Sequence, residues 1–162
     1  FVDASLSLYV MPSTSSIQRS LRATLGENIH LIGYDLDRAE VLPGQTLQLT
    51  LHWQATAPIA KHYTVFTHLI GAINPATQSP VWAQMDGEPV GGSRPTTLWQ
   101  IGETIDDRYG LQIPQNIPPG GYALEVGMYD PATLVRLPVF DEKGNRLTDN
   151  RVILGTVWVS GQ

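Results

Sequence analysis

Residues 46–54 read TLQLTLHWQ, an unbroken alternation of polar and apolar side chains. Successive side chains of a β-strand point to opposite faces, so this stretch predicts a strand. Its apolar face carries Leu47, Leu49, Leu51 and Trp53. Its polar face carries Gln48, Thr50, His52 and Gln54. A strand with one face of each kind is half buried, which is typical of a β-sandwich.

Strand patterns and turn signals continue along the chain on both sides of this stretch. The runs 118–121 (PPGG) and 142–145 (EKGN) are strong turn signals, and lysine occurs only at 61 and 143. Strong helix formers are therefore scarce, and about eight strands, including one over 134–140, are separated by turns. We predict an all-β domain: a single antiparallel two-sheet β-sandwich, immunoglobulin-like or jelly-roll in topology.

A chain of 162 residues supports one core and leaves no room for two ordinary domains. We assign the sandwich to residues 29–162, where the alternation is regular. Residues 1–28 are interpreted as a linker, or as an extra strand over 1–10 followed by a short helix over 16–23 closed by Gly26. The core is predicted to contain Leu47, Leu49, Leu51, Trp53, Val65, Leu69, Tyr109, Leu111, Tyr122, Leu124, Val126 and Met128. Trp158, which closes the last strand, is interpreted as a core residue as well.

The composition excludes several classes of function. The formal net charge is −5, so the chain offers no basic surface for nucleic acid. It has no cysteine, which excludes disulfides and thiolate metal sites. No apolar run approaches the roughly 18 residues that span a bilayer, so we expect no direct membrane insertion. The chain begins at Phe1 without a methionine, and we expect it to be a domain of a longer protein.

Five short motifs in the second half of the chain carry a resemblance to a known family. They are WAQMDGEP (82–89), GSRPTTLW (92–99), GETIDD (102–107), IPPGGY (117–122) and GMYDP (127–131). Together they resemble the C-terminal extracytoplasmic β-sandwich domain of bacterial protein-mannosyltransferase-like (GT-C type) membrane glycosyltransferases. The resemblance covers roughly residues 29–159.

The resemblance implies a non-catalytic accessory domain on the extracytoplasmic side of a bacterial membrane. Its implied partner is the membrane-embedded part of its own parent chain, and its implied role is interaction or presentation of an acceptor or glycan. Two alternatives stay open at this stage: an independent carbohydrate-binding module and a small glycoside hydrolase.

Side chains of the types that bind sugars lie on and beside a long loop, residues 86–102. Sugars stack their apolar faces on exposed aromatic rings, while amides and charged groups bind the hydroxyls. The candidate glycan-binding residues are Trp82, Gln84, Asp86, Arg94 and Trp99. Trp99 has a second interpretation, as an apolar anchor that pins the loop to the sandwich. In either case we expect the loop to be ordered.

Four carboxylates near this loop have three interpretations. They are Asp86, Glu103, Asp106 and Asp107. They are structural latches for the loop, ligands of a calcium ion or the acids of a glycosidase. Alternation places Asp107 on the side of Ile105 and Tyr109, which favours the latch.

The four histidines, at 30, 52, 62 and 68, do not form an HxH or HExxH motif. We expect ordinary polar roles for them, with His52 and His68 sharing a sheet face only if their strands pair. We therefore expect no metal and no cofactor, with calcium as the alternative.

Overall fold

The computed structural model describes residues 17–161, and these form a sandwich of two five-stranded sheets. The strands are β1 (Arg19–Leu25), β2 (Ile29–Leu36), β3 (Glu40–Val41), β4 (Thr46–Ala55), β5 (Thr64–Asn74), β6 (Ser79–Gly87), β7 (Ile105–Gln112), β8 (Gly120–Tyr129), β9 (Val139–Asp141) and β10 (Val152–Val159). Within the described range the remaining regular structure consists of three short 3₁₀ turns, at Pro89–Gly92, Thr96–Leu98 and Thr148–Asn150.

The first sheet has the strand order β7-β4-β2-β1-β9, and the second has the order β3-β10-β8-β5-β6. Neighbouring strands run antiparallel except for β3 and β10, which pair in parallel through a two-residue contact. The edge strands β6 and β7 meet along one side of the sandwich, where the N–H of Gly110 points at the sulfur of Met85 at 3.3 Å. The predicted two-sheet β-sandwich is confirmed.

The core forms where the apolar faces of the two sheets meet. Twelve of the thirteen predicted core residues are buried, and Trp53 is fully so. The alternation of residues 46–54 explains this, because β4 is a central strand with β7 on one side and β2 on the other. One face of β4 therefore covers the middle of the sandwich.

Two local predictions are wrong. The helix predicted over 16–23 is not observed in its described part: from Arg19 the chain is strand β1, which pairs with β2 and β9, so the sandwich includes residues before 29. The strand predicted over 134–140 is reduced to β9, because Leu134 has a positive φ of 63° in a turn closed by its own N–H on the carbonyl of Asp130. Residues 1–16, with the strand suggested for 1–10, lie outside the described range.

A buried hydroxyl on β2 forms a hydrogen bond between the two sheets. Tyr34 of β2 donates a hydrogen bond of 2.6 Å to the carbonyl of Leu154 in the second sheet. Tyr34 is 6% exposed and Leu154 is 8% exposed, so both partners are largely removed from bulk water. A β-bulge in β10 between Ile153 and Gly155 displaces that strand locally, at the place where the carbonyl accepts this bond.

We expect the substitution Tyr34→Phe to lower the free energy of unfolding by about 1–3 kcal/mol, because it leaves a buried carbonyl without a donor. Urea denaturation measures this change. Tyr129→Phe is the matched control, since its hydroxyl bonds to the partly exposed carboxylate of Asp86. Equal midpoints for the two variants would contradict the role of the Tyr34 bond.

Candidate functional site

The long loop predicted over 86–102 largely coincides with the connecting segment, residues 88–104, which joins β6 to β7 and so passes from the second sheet to the first. It contains two of the 3₁₀ turns. Val90, Gly91 and Gly92 all have positive φ, so the chain reverses tightly there. A β-branched residue at positive φ is strained and is held in place by its surroundings.

The group that holds this turn is the carboxylate of Asp107, which is 0% exposed. Its Oδ1 accepts a hydrogen bond of 2.7 Å from the backbone N–H of Val90. Its Oδ2 accepts bonds from the indole N–H of Trp53 at 3.1 Å and from the hydroxyl of Tyr109 at 2.8 Å. One buried carboxylate therefore joins β4, β7 and the connecting segment.

Burial raises the pKa of Asp107 above its ordinary value, against the three hydrogen bonds, which lower it. Burial and the charge of Asp107 likewise raise the pKa of the Tyr109 hydroxyl. The folded protein holds the proton of Asp107 more tightly than the unfolded chain does. Ionisation of this group alone therefore subtracts stability as the pH rises from its ordinary pKa through the raised one.

Trp99 is buried as well, at 5% exposed, so it does not present a platform to a sugar. Its ring lies against that of Trp53, with centroids 6.3 Å apart and planes 31° apart. Its indole N–H donates to the carbonyl of Arg94 at 2.8 Å. The interpretation of Trp99 as a glycan-stacking residue is therefore wrong, and its contacts are those of an anchor within the connecting segment.

Two other predicted residues, Arg94 and Glu103, form hydrogen bonds within the connecting segment. Thr96, which was not predicted, bonds to the loop between β4 and β5. Glu103 accepts a charged hydrogen bond from Arg94 and one of 2.7 Å from the N–H of Gln100. Thr96 is 0% exposed, donates to the carbonyl of Lys61 and accepts from the N–H of Tyr63 at 3.2 Å. Arg94 and Glu103 thus pair with each other at partial exposure.

Asp106 points to the opposite face of β7 from Asp107 and belongs to a row across three strands. His52 of β4 is placed between Asp106 and Asp35, with Nδ1 at 2.7 Å from the first carboxylate and Nε2 at 3.0 Å from the second. His52 is on the polar face predicted for it, yet it is 2% exposed. His68 belongs to the second sheet, so these two histidines do not share a face.

The four predicted carboxylates do not converge on one point. Asp107 faces the core, Asp106 faces outward on the first sheet and Glu103 pairs with Arg94. Within residues 17–161, no group of three or more histidine or acidic side chains is placed to hold a metal ion. Nor is any helix there long and apolar enough to cross a bilayer.

Asp86 and Gln84 lie away from the connecting segment, on the outer face of the second sheet. Gln84 is opposite His68 in the pairing of β5 and β6. Asp86 accepts a hydrogen bond of 3.2 Å from the hydroxyl of Tyr129 in β8 and not from the loop, so its predicted role as a loop latch is not observed. Trp82 is partly buried, and its ring meets that of Tyr122 edge-on, with the ring centroids 6.1 Å apart. Its indole N–H donates a hydrogen bond to the carbonyl of Ala72.

The exposed tryptophan of this protein is Trp158, which sequence reasoning had placed in the core. Val157 and Val159 on either side of it are buried, so alternation turns Trp158 outward, and it is 56% exposed. Its ring lies over the backbone of Gly121, where a Cβ would come within 3.0 Å of a ring carbon. The valines flanking Trp158 were the sequence signal that could have found it.

Trp158 forms one wall of a shallow groove of about 590 Å³ on the outer face of the second sheet. Gly121 and Ala123 of β8 and Ile70 and Gly71 of β5 contribute to it. Gly71 has little room for a side chain, because a Cβ there would lie 2.7 Å from the Tyr122 ring. The complete lining is Ile70, Gly71, Gly121, Tyr122, Ala123, Thr156 and Trp158, and it includes no charged residue.

Further along the same face lies a charged cluster around Glu125, which is 4% exposed. His68 approaches its Oε1 at 3.3 Å, and Arg151 donates to its Oε2 at 3.1 Å. Burial alone raises the pKa of Glu125, but hydrogen bonds from His68 and Arg151 and the charge of Arg136 outweigh burial and hold the pKa below its ordinary value. The buried carboxylate is therefore ionised and paired at neutral pH.

No protein-family model matches the chain, and no curated protein matches it. Among solved structures, the chain is similar to the Pseudomonas fluorescens alkylpurine DNA glycosylase AlkC bound to DNA containing an abasic site analogue. That match has 14% identity and a TM-score of 0.48, and it covers 83% of this chain and 31% of the other. This chain thus spans about a third of the length of that protein.

Two further structures are similar at comparable levels. A Niemann-Pick type C2 protein from the Japanese carpenter ant has 6% identity and a TM-score of 0.46, over 85% of this chain and 95% of that one. A mutant β-glucosidase from Listeria innocua in complex with laminaribiose has 15% identity and a TM-score of 0.39, and the match covers 79% of this chain and 16% of that one. All three TM-scores are below 0.5, so none of these similarities indicates an activity for this chain.

We expect Asp107→Ala to lower the free energy of unfolding by about 3 kcal/mol or more, because each buried donor left unpaired costs about 1–3 kcal/mol. Asp107→Asn keeps one acceptor oxygen and should cost less. Arg108→Ala, at the exposed neighbouring position of β7, is the control. An unchanged urea midpoint for Asp107→Ala would rule out the carboxylate as the group that holds the connecting segment.

Proposed function

We propose that this chain is a non-catalytic accessory domain of a membrane glycosyltransferase-like protein, and that it holds a glycan on the outer face of its second sheet. The resemblance of residues 82–131 to domains of such proteins supports the first half of the proposal. In such a protein the domain would lie on the extracytoplasmic side and work beside the membrane-embedded part of its own chain.

The exposure of Trp158 is the observation that carries the glycan-binding half. Of the four tryptophans, Trp53 and Trp99 are buried and Trp82 is partly buried, which leaves Trp158 with a ring open to solvent. An indole is a large apolar surface that is costly to leave in water. The flat C–H face of a pyranose covers such a ring, while its hydroxyl groups remain hydrated.

The lining of the groove favours a neutral sugar. It contains no charged side chain, so it has nothing to pair with a uronic acid or an amine. The small residues Gly121 and Ala123 keep the floor flat beside the ring. A charged group placed there would lose its hydration without gaining an ionic partner, which is costly. An uncharged hexose has no charge to desolvate.

An independent carbohydrate-binding module is the second candidate, and the same exposed tryptophan favours it. The two candidates differ in the affinity they require. A domain tethered to its parent meets its glycan at high effective concentration, so a Kd on the order of 1 mM is sufficient. A module that must find glycan alone needs a Kd on the order of 10 μM or lower.

We expect Trp158→Ala to abolish binding of neutral glycans to the isolated domain, because it removes the stacking ring. Titration of a panel of neutral hexose oligosaccharides, followed by tryptophan fluorescence and calorimetry, measures this. Ile101→Ala is the matched control, since Ile101 is 63% exposed and bridges to Ala55 of the first sheet. Wild-type protein that binds nothing in the panel, or Trp158→Ala that binds as well as wild type, would refute the glycan-binding proposal.

We expect the isolated domain to show no glycosidase turnover, because Asp106 and Asp107 point to opposite faces of β7. The acids of a glycosidase flank one bond at about 5–9 Å from each other, with both facing the substrate. Chromogenic glycosides assayed at high protein concentration test this. Turnover that is lost in Asp106→Asn would contradict the non-catalytic role.

A further inference from the structure

A second, smaller pocket opens on the outer face of the same sheet. Its volume is about 140 Å³. In the pairing of β8, Trp158 is opposite Gly121, whereas Phe66 of this pocket is opposite Gly127. Six residues of a strand extend about 20 Å, so the pocket and the groove are separated by roughly that distance along one surface.

The pocket combines a carboxylate, Asp86, with a guanidinium, Arg136. The guanidinium carbon lies 4.1 Å from the centre of the Phe66 ring, and that ring lies against the backbone of Gly127, where a Cβ would be 2.5 Å away. The glycine therefore allows a layer of Phe66 and Arg136 to build up on the sheet. Arg136 is fixed further by a bond of 2.9 Å to the carbonyl of Asp149.

Two polar contacts in and beside the pocket are too long for direct hydrogen bonds. Oδ1 of Asp86 is 3.7 Å from Nε2 of His68, and Nη2 of Arg136 is 3.7 Å from Oε1 of Glu125. Polar groups at this separation leave their capacity open to a bridging group. A hydroxyl suits both places, because it donates to a carboxylate and accepts from an N–H of an imidazole or a guanidinium.

The charges narrow the class of ligand. An anion is repelled by Asp86 and a cation is repelled by Arg136, whereas an uncharged polyol bonds to both. The rim adds an apolar contact, since Leu134 is 73% exposed and is held at a positive φ of 63°. Backbone strain that keeps an apolar side chain in water is typical of a residue with a ligand to contact.

We infer that this pocket is a second subsite for the same glycan, so that the ligand is a neutral oligosaccharide lying along β8 and not a single sugar. This inference rests on the proposed function. A sugar unit stacks on Trp158, and a distant unit of the same chain places neighbouring hydroxyl groups on Asp86 and Arg136. Each sugar unit binds its own site weakly, and the oligosaccharide that connects the two units makes the second contact intramolecular.

The test is a length series from monosaccharide to hexasaccharide in whichever neutral series, manno- or cello-oligosaccharide, the wild-type domain binds. We expect the affinity to rise by about tenfold or more once the chain spans both sites. Asp86→Ala and Arg136→Met should remove that gain and leave the weak binding of the monosaccharide unchanged. Trp158→Ala should weaken every member of the series.

Leu134→Gly keeps the inference testable if the charged variants fail to fold. Glycine adopts a positive φ without strain, so this variant should fold at least as stably as wild type while binding the long oligosaccharide more weakly. Gln78→Gly, at another exposed position of positive φ in the β5–β6 turn, is the control.

The outcomes separate the two proposals. A monosaccharide that binds as tightly as the hexasaccharide, or wild-type affinity for the hexasaccharide in folded pocket variants, overturns the second subsite and leaves Trp158-dependent binding standing. A wild-type domain that binds no member of either series overturns the glycan-binding function and the second subsite with it.

Discussion

The buried carboxylate of Asp107 is the interaction on which the rest of the structure depends. It accepts hydrogen bonds from three parts of the chain that are distant in sequence: Trp53 in β4, Tyr109 in β7 and Val90 in the connecting segment. An ionisable group without solvent contact is tolerated only when its hydrogen-bonding capacity is filled. That requirement fixes how β4 and β7 meet the connecting segment, and it places Trp99 against Trp53.

This arrangement has a consequence for function. The motifs that resemble glycosyltransferase-associated domains contain Trp99, Glu103 and Asp107, and the structure uses these residues to hold the connecting segment. The resemblance therefore rests largely on structural residues. The surface proposed to bind glycan is elsewhere, on the outer face of the second sheet, where Trp158, Glu125 and Arg136 lie. The two outer faces also differ, since His52 on the first sheet is enclosed by its own carboxylates.

Strong alternation made the sandwich and its core predictable from sequence. The TLQLTLHWQ strand identified Trp53 as a central core residue, and the same alternation turned Asp107 inward. Strands β1 (Arg19–Leu25) and β9 (Val139–Asp141) were less predictable. They pair with each other across a long sequence separation, and a local sequence pattern carries no information about such a pairing. Trp158 was misassigned because a tryptophan among valines was taken for a core residue, although the valines already occupied the inner positions.

The site itself was only partly within reach of the sequence. Asp86 and Gln84 were among the predicted residues and do lie on the proposed surface. Glu125 and Arg136 were not predicted, and His68 was expected to have only an ordinary polar role, because their proximity comes from the pairing of β5 with β8 and from the turn after β8. Trp99 and Arg94 were close in sequence to Asp86, yet the chain turns between them and carries them to the edge of the first sheet.

The indole N–H signals of the four tryptophans offer the most direct test of where a ligand binds. Each gives a separate peak in a two-dimensional ¹⁵N–¹H NMR spectrum, assignable by single Trp→Phe substitutions, and each reports a different part of the molecule. During titration with a neutral oligosaccharide that the domain binds, we expect the Trp158 peak to shift while those of Trp53 and Trp99 stay in place. Shifts confined to Trp99 and the connecting segment, with Trp158 unaffected, would contradict binding on the outer face of the second sheet.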